Sequence, residues 1–146
     1  MPELLALIRE LAEYEKLLPE VVANEARVHD ALFGPRPTAE AVMARCGEAV
    51  AGFALYFHNY STFLGRPGLY LEDLYVRPEY RGEGIGSALL RHMGRIALAR
   101  DCGRMEWAVL DWNRRAIEFY HSMGARPVDG WTIYRITPKG GHQSFT

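Results

Sequence analysis

The sequence predicts one mixed α/β domain of the α+β kind, with a mixed, mostly antiparallel central sheet flanked by helices. Three observations lead there. Apolar residues recur at helical spacing in some segments and as short β-branched or aromatic runs in others, in the order helix, helix, hairpin, strand, helix, strand, helix, strand. A chain of 146 residues has room for one core of ordinary size, so residues 1–146 read as a single domain. Finally, 49% hydrophobic and 24% charged residues are the proportions of a globular protein, not of a disordered or fibrous one.

The first helix carries Leu4, Leu5, Ile8, Leu11 and Ala12 at helical spacing. Arg9, Glu10, Glu13 and Glu15 occupy much of its other face, where Glu10 and Glu15 read as solvation alone. Asn24 fits the N-cap of a second helix bearing Val28, Ala31 and Leu32, which Gly34-Pro35-Arg36-Pro37 breaks. Two apolar runs around Cys46-Gly47-Glu48 predict a hairpin of Thr38–Arg45 and Val50–His58, although the alanine-rich first run also suits a helix. Gly65-Arg66-Pro67-Gly68 turns the chain into a third strand, Leu69–Val76. A helix of about 16 residues follows, with Ile85, Leu89, Met93 and Ile96 as its buried stripe. Arg104–Leu110 reads as strand. Asn113 then caps a short helix ending near Met123, where Gly124 supplies the C′ residue. Trp131–Thr137 reads as the last strand, and the tail from Pro138 to Thr146 is expected to fray.

Charge and cysteine usage exclude several classes. Lys and Arg total 17 against 18 Asp and Glu, a net charge of −1, without the basic excess of a nucleic-acid binder. No apolar run approaches the roughly 18–20 residues of a membrane span. Met1-Pro2-Glu3 offers no basic n-region for a signal peptide. Cys46 and Cys102 lack CxxC spacing, so they read as buried packing residues in a reducing cytoplasm. The five histidines show no ligand spacing, and no metal site is expected.

The most informative stretch is Val76-Arg77-Pro78-Glu79-Tyr80-Arg81-Gly82-Glu83-Gly84-Ile85-Gly86-Ser87, a glycine-rich loop between a strand and a helix. Small residues there leave backbone N–H groups open at the positive end of a helix dipole, where a pyrophosphate fits. A Walker loop needs Gly-Lys-Ser/Thr, and a dinucleotide fingerprint needs a third glycine where Ser87 stands, so neither applies. What remains is Arg81-x-x-Gly84-x-Gly86 directly after Leu74-Tyr75-Val76. This pattern resembles the acetyl-CoA motif of the GNAT superfamily of N-acetyltransferases. Leu71-Glu72-Asp73-Leu74-Tyr75-Val76, Trp112-Asn113, Phe119-Tyr120 with Gly124-Ala125, the segment Leu7–Glu15, and Gly130-Trp131 extend the likeness to the spermidine/spermine and thialysine branch, over about residues 4–137. In two places the chain departs from that family's pattern. The usual first strand before the first helix is missing, which implies either a misplaced gene start or a sheet lacking that edge strand. The Ala125–Trp131 loop is also short for a polyamine enzyme.

The resemblance implies acetyl transfer from acetyl-CoA (coenzyme A as carrier) to a primary amine of a small cationic metabolite, by direct transfer in a ternary complex, in a homodimer. It implies that Leu74, Tyr75 and Val76 flank the thioester. Arg81, Gly82, Glu83, Gly84, Ile85, Gly86 and Ser87 would hold the pyrophosphate, and Asn113, Arg114, Arg115 and Ala116 the pantetheine side. Tyr120 matches the family's general acid, and Glu72 a residue that relays the amine's proton. Glu13, Tyr14, Glu72, Asp73, Glu106, Trp107 and Asp129 correspond to substrate-side positions. Strand alternation would put Glu72 and Asp73 on opposite sides of the sheet, so they should not share a task. The other readings left open are a non-catalytic acyl-CoA sensor and an acetyltransferase for protein, peptide or aminoglycoside amines.

Overall fold

The computed structural model describes residues 1–138; residues 139–146, most of the tail expected to fray, lie outside the described residues. Helix α1 (Pro2–Tyr14) starts with proline, whose fixed φ and missing N–H suit a first turn, and with Glu3 at the positive end of the dipole. It buries Leu4, Leu5, Leu7, Leu11 and Ala12. Leu7 is fully buried, whereas the expected Ile8 sits half-buried at the margin of the stripe. Helix α2 (Glu25–Phe33) has the predicted cap: Asn24 Oδ1 accepts the Arg27 N–H at 2.9 Å, and Gly34 ends the helix.

Strands β1 (Glu40–Cys46), β2 (Ala49–Ser61), β3 (Arg66–Val76) and β4 (Met105–Glu106) form one sheet in the order β1-β2-β3-β4. The first three are antiparallel meander neighbours, and β4 joins β3 in parallel. β1 is a strand, as predicted, despite its alanines, because β2 supplies its ladder. Among the described residues no strand precedes α1. The β2–β3 register slips once: Leu55 pairs with Asp73 and Tyr56 with Leu71, leaving Glu72 as an extra residue on β3. Such a bulge inverts which side chains face which side of the sheet beyond it.

One sheet face therefore presents Phe53 and Tyr75 to α1, in a core with Leu4, Leu7, Leu11 and Val50. The other presents Ala54, Tyr56, Leu69 and Leu71, all buried, and is covered by α3 (Ile85–Ala99). α3 buries Leu89, Leu90, Met93 and Ala97. The predicted Leu89 and Met93 are there, but Ile85 and Ile96 are only half-buried. Steps of three or four both satisfy helical period, and apolar size favoured Ile96 where the small Ala97 faces the sheet. Arg100, just past α3, ties that helix to β1 through a two-pronged pair with Glu40 at 2.6 and 2.9 Å.

Three expectations fail. Arg104–Leu110 was to be a strand, yet only Met105–Glu106 pair, opposite Leu69 and Tyr70. Trp131–Thr137 forms no strand, and Trp131, Ile133, Tyr134 and Ile136 are exposed. Both segments have strand composition, but that preference is realised only where a neighbour completes the ladder and covers a face. Cys46 is exposed beside the hairpin turn, not buried, and Cys102 is half-buried. The chain divides into two compact units, Met1–Trp112 and the chain from Asn113 on. The second holds α4 (Arg114–Ser122), capped as predicted by Asn113 Oδ1 on the Ala116 N–H at 3.3 Å, with Gly124 at positive φ after it.

Burial of Leu7 in place of Ile8 sets an expected outcome. Leu7→Ala should lower the unfolding free energy by about 2–5 kcal/mol. Ile8→Ala, at the margin, should cost less. Urea midpoints with unchanged slope check both, and the reverse ranking would refute this face of α1.

Candidate functional site

The glycine loop begins where β3 ends. The Arg77 N–H donates to Ala51 O at 2.8 Å, and a single 3₁₀ turn, Pro78–Tyr80, carries the chain to Arg81. Gly82 and Gly84 then take φ of 84° and 81°, the left-handed region that an L side chain rarely adopts. A Cβ on either would meet nothing within 4 Å, so the space over the loop is open. Gly84 is the N-cap of α3 and has no side chain to cap it, which leaves the first-turn N–H groups of Ile85, Gly86 and Ser87 without a capping side-chain acceptor. Open amides, a dipole end and no blocking Cβ are the features that hold phosphate oxygens. The loop thus fits the pyrophosphate that its sequence implied. Glu83 is exposed within it, and Leu74 and Val76 are half-buried on either side of the buried Tyr75. Arg81 turns inward: its Nε donates to Val76 O at 2.9 Å, and its guanidinium lies 5.3 Å from the Tyr14 ring and 5.7 Å from the Tyr75 ring.

The second feature of this unit is a group of carboxylates. Alternation alone would separate Glu72 from Asp73; the bulge breaks that alternation at Glu72 and brings Tyr70 to the side of Asp73. Opposite Leu55 and Phe57, which share a face of β2, stand Asp73 and Tyr70. Burial pushes the Asp73 carboxyl up to about 7, and the negative charges of Glu72 and Glu15 add to it. Glu15 is itself raised by burial and by Glu72. Burial, Glu72 and Glu106 raise the Tyr70 phenol, whose ring lies 5.1 Å from that of Phe57. Glu106 pairs with Arg104 at 3.6 Å. Glu15, Glu72, Asp73 and Glu106 therefore sit within electrostatic reach of one another or of Tyr70. A cation placed among them would relieve their repulsion, and a carboxyl titrating near 7 can take or give a proton at neutral pH.

Glu15 is the residue the sequence reading missed, together with Glu10. Neither is merely solvated: Glu10 pairs with Arg77 at 2.9 Å. The signal was available, since Glu15 lies four residues past Leu11 and three past Ala12, on the buried side of α1. Glu13, one of the expected substrate-side positions, is exposed. Tyr14 is half-buried with its ring 6.0 Å from that of Trp112, and Lys16 Nζ stands 4.9 Å from the Trp112 ring. Trp107 is half-buried just past β4.

The second unit holds the remaining expected residues. Asn113 is buried at the start of α4, Arg114 and Arg115 are exposed, and Ala116 is half-buried. Tyr120 is half-buried on α4, 5.5 Å from the Phe119 ring. Asp129 is exposed before Gly130, which has φ of 88°. Among the described residues no three His, Cys, Asp or Glu side chains are grouped to hold a metal ion, and no helix is long and apolar enough to cross a membrane.

Residues 5–125 match the acetyltransferase (GNAT) family. A thialysine N-epsilon-acetyltransferase of Bos taurus is 42% identical over 144 residues, covering 91% of this chain and 84% of that protein. The spermidine/spermine N(1)-acetyltransferase-like protein 1 of Homo sapiens is 35% identical over 145 residues, 92% of this chain and 21% of that protein. Among solved structures, an integron cassette protein from the mobile metagenome of V.cholerae superposes with a TM-score of 0.74 at 29% identity, covering 90% of this chain and 82% of that one.

The Asp73 environment predicts a pH effect. Below about pH 4 the carboxyl is protonated in both the folded and the unfolded chain. As pH rises from there to about 7 the unfolded chain releases this proton while the fold retains it, so Asp73 costs stability increasingly across that window and levels off above it. Asp73→Asn should remove this component and gain on wild type as pH rises from 4 to 8. Denaturation midpoints across that range check it, and a constant difference between the two proteins would contradict the shift.

Proposed function

The chain belongs to the GNAT family of acetyltransferases, and from that membership we propose that it is an enzyme acetylating a primary amine of a small cationic metabolite, with acetyl-CoA as donor. The observation that carries the acceptor class is the carboxylate group Glu15, Glu72 and Asp73, whose mutual repulsion a bound cation relieves, with Glu106 nearby at Tyr70. Relatives named for thialysine and for spermidine or spermine, both amines, support the same reading.

Acetyl-CoA, when bound, supplies an acetyl group activated as a thioester. The Gly82–Ser87 amides would hold its pyrophosphate, Arg81 would add a positive charge on that side, and Asn113–Ala116 would line the pantetheine side. A backbone amide in the run Leu74-Tyr75-Val76 would donate to the carbonyl oxygen; a donor of that kind contributes about 2.7–4 kcal/mol to lowering the barrier. The acceptor must be neutral to attack, yet an amine of pKa near 10.4 is about 0.04% neutral at pH 7. Glu72 and Asp73 take up that proton, directly or through water. Tyr120 would give its phenolic proton to the departing sulfur, and the proton that the nitrogen sheds on becoming an amide would restore the phenol. With a phenol near 10 and a thiol near 8.5 this transfer is uphill by about 2 kcal/mol in water, so Tyr120 acts only when held in place. We place the enzyme in the cytoplasm as a homodimer.

An acceptor screen reading thiol release tests the proposal. Polyamines, diamines or thialysine should give turnover well above that of amino-acid, peptide and aminoglycoside amines; preference for one of the latter would overturn the acceptor class. Tyr120→Phe should retain donor binding and slow single-turnover transfer by about 10²–10⁴-fold. A rate within about twofold of wild type would make Tyr120 a packing residue. Glu72→Gln should be most impaired at neutral pH and recover as the amine deprotonates, so a pH profile parallel to wild type would reject the relay.

A further inference from the structure

Gly82 and Gly84 give the donor loop its open amides, but glycines in left-handed conformations hold no position by themselves. The anchor lies at the loop's entrance. Arg77 spends every guanidinium nitrogen on a fixed partner: Nε donates to Glu10 Oε1 at 3.1 Å, Nη2 to Glu10 Oε2 at 2.9 Å, and Nη1 to Val50 O at 3.0 Å. Its backbone N–H holds Ala51 O, and Glu10 Oε1 also accepts the Tyr75 hydroxyl at 3.4 Å. One helical turn along α1 from Glu10 stands Tyr14, and one short turn along the chain from Arg77 stands Arg81, whose guanidinium lies over the Tyr14 ring. Two residues on one face of α1 thus meet the two arginines that bracket Pro78–Tyr80.

We infer that Glu10 and Arg77 are positioning residues for the acyl-donor loop, acting with the Tyr14–Arg81 contact to let α1 set where the Gly82–Ser87 amides stand. The inference rests on the reading of that loop as the acetyl-CoA site. As an exposed brace the pair would matter little, because both side chains keep about a third or a quarter of their surface in solvent, at 35% and 26%, and such pairs stabilise folds weakly. As a positioning device it matters more, since a planar fork on a carboxylate fixes direction as well as distance.

The test uses the full-length chain, with coenzyme A titrated calorimetrically and steady-state kinetics in both substrates. Glu10→Gln keeps the side chain's size but loses the charged fork. It should weaken coenzyme A binding and raise KM for acetyl-CoA by about tenfold, while kcat and the amine KM hold. Arg77→Lys keeps the charge but not the fork and should act alike, so it also serves if Glu10→Gln fails to fold. Combining the two should add little to either alone, because they break one contact. Unchanged donor affinity in folded Glu10→Gln or Arg77→Lys, with affinity lost in Gly84→Asp, would overturn the inference and leave the loop assignment standing. Unchanged affinity in Gly84→Asp as well would overturn the loop assignment and the inference with it.

Discussion

Between the pairs Leu55–Asp73 and Tyr56–Leu71, the ladder joining β2 to β3 passes over Glu72, and the side-chain alternation of β3 inverts there. In an unbroken strand Leu69, Leu71, Asp73 and Tyr75 would all face one side. The extra residue sends Leu69 and Leu71 toward α3, and Tyr75 toward α1. Both faces of the sheet can then be covered from a strand whose buried apolar residues, Leu69, Leu71 and Tyr75, follow one parity. The same slip gathers Tyr70 and Asp73 on one side with Glu72 at the bend, so the packing irregularity and the concentration of acid have one cause.

That concentration works against the fold. Burial raises Asp73 and Glu15, and their neighbours raise them further, which means that the folded chain holds carboxylates where their charged forms are disfavoured. Ordinary packing would place apolar or paired residues there. Retaining unpaired acids costs stability, and such arrangements concentrate at sites that bind charge or move protons. Elsewhere the protein pairs its charges closely, as Glu40 with Arg100 and Glu10 with Arg77 show. The contrast within one unit distinguishes charges that tie elements together from charges that raise one another's pKa.

Helix α1 links these regions because its period distributes three tasks around one short cylinder. Leu4, Leu7 and Leu11 fill the core, Glu10 and Tyr14 reach the arginines around the glycine loop, and Glu15 joins the acids as the helix ends. Lys16, at φ 63°, turns the chain immediately afterwards. A shift of α1 against the sheet would therefore disturb core, loop and acidic group together.

The sequence by itself determined what depends on near neighbours along the chain. Asn24 and Asn113 cap the helices they precede, the glycine loop opens α3, and the β1–β2 hairpin turns at Cys46-Gly47-Glu48, because caps, tight turns and periodicity are settled within a few residues. The motif Arg81-x-x-Gly84-x-Gly86 was legible for the same reason, since its chemistry is that of a backbone conformation that glycine permits. Only the tertiary structure decided how far a strand-like segment becomes a strand. Met105–Glu106 pair while Trp131–Thr137 do not, because a ladder requires a partner that local composition does not specify. The bulge at Glu72 was equally hidden: it is a mismatch between two strands and leaves no mark on either one alone. Glu10 and Glu15 looked like solvated helix charges until Arg77 and Glu72, more than fifty residues away, came to stand beside them. A side chain's charge is written in the sequence, but its electrostatic environment is set by whatever the fold brings within a few ångströms.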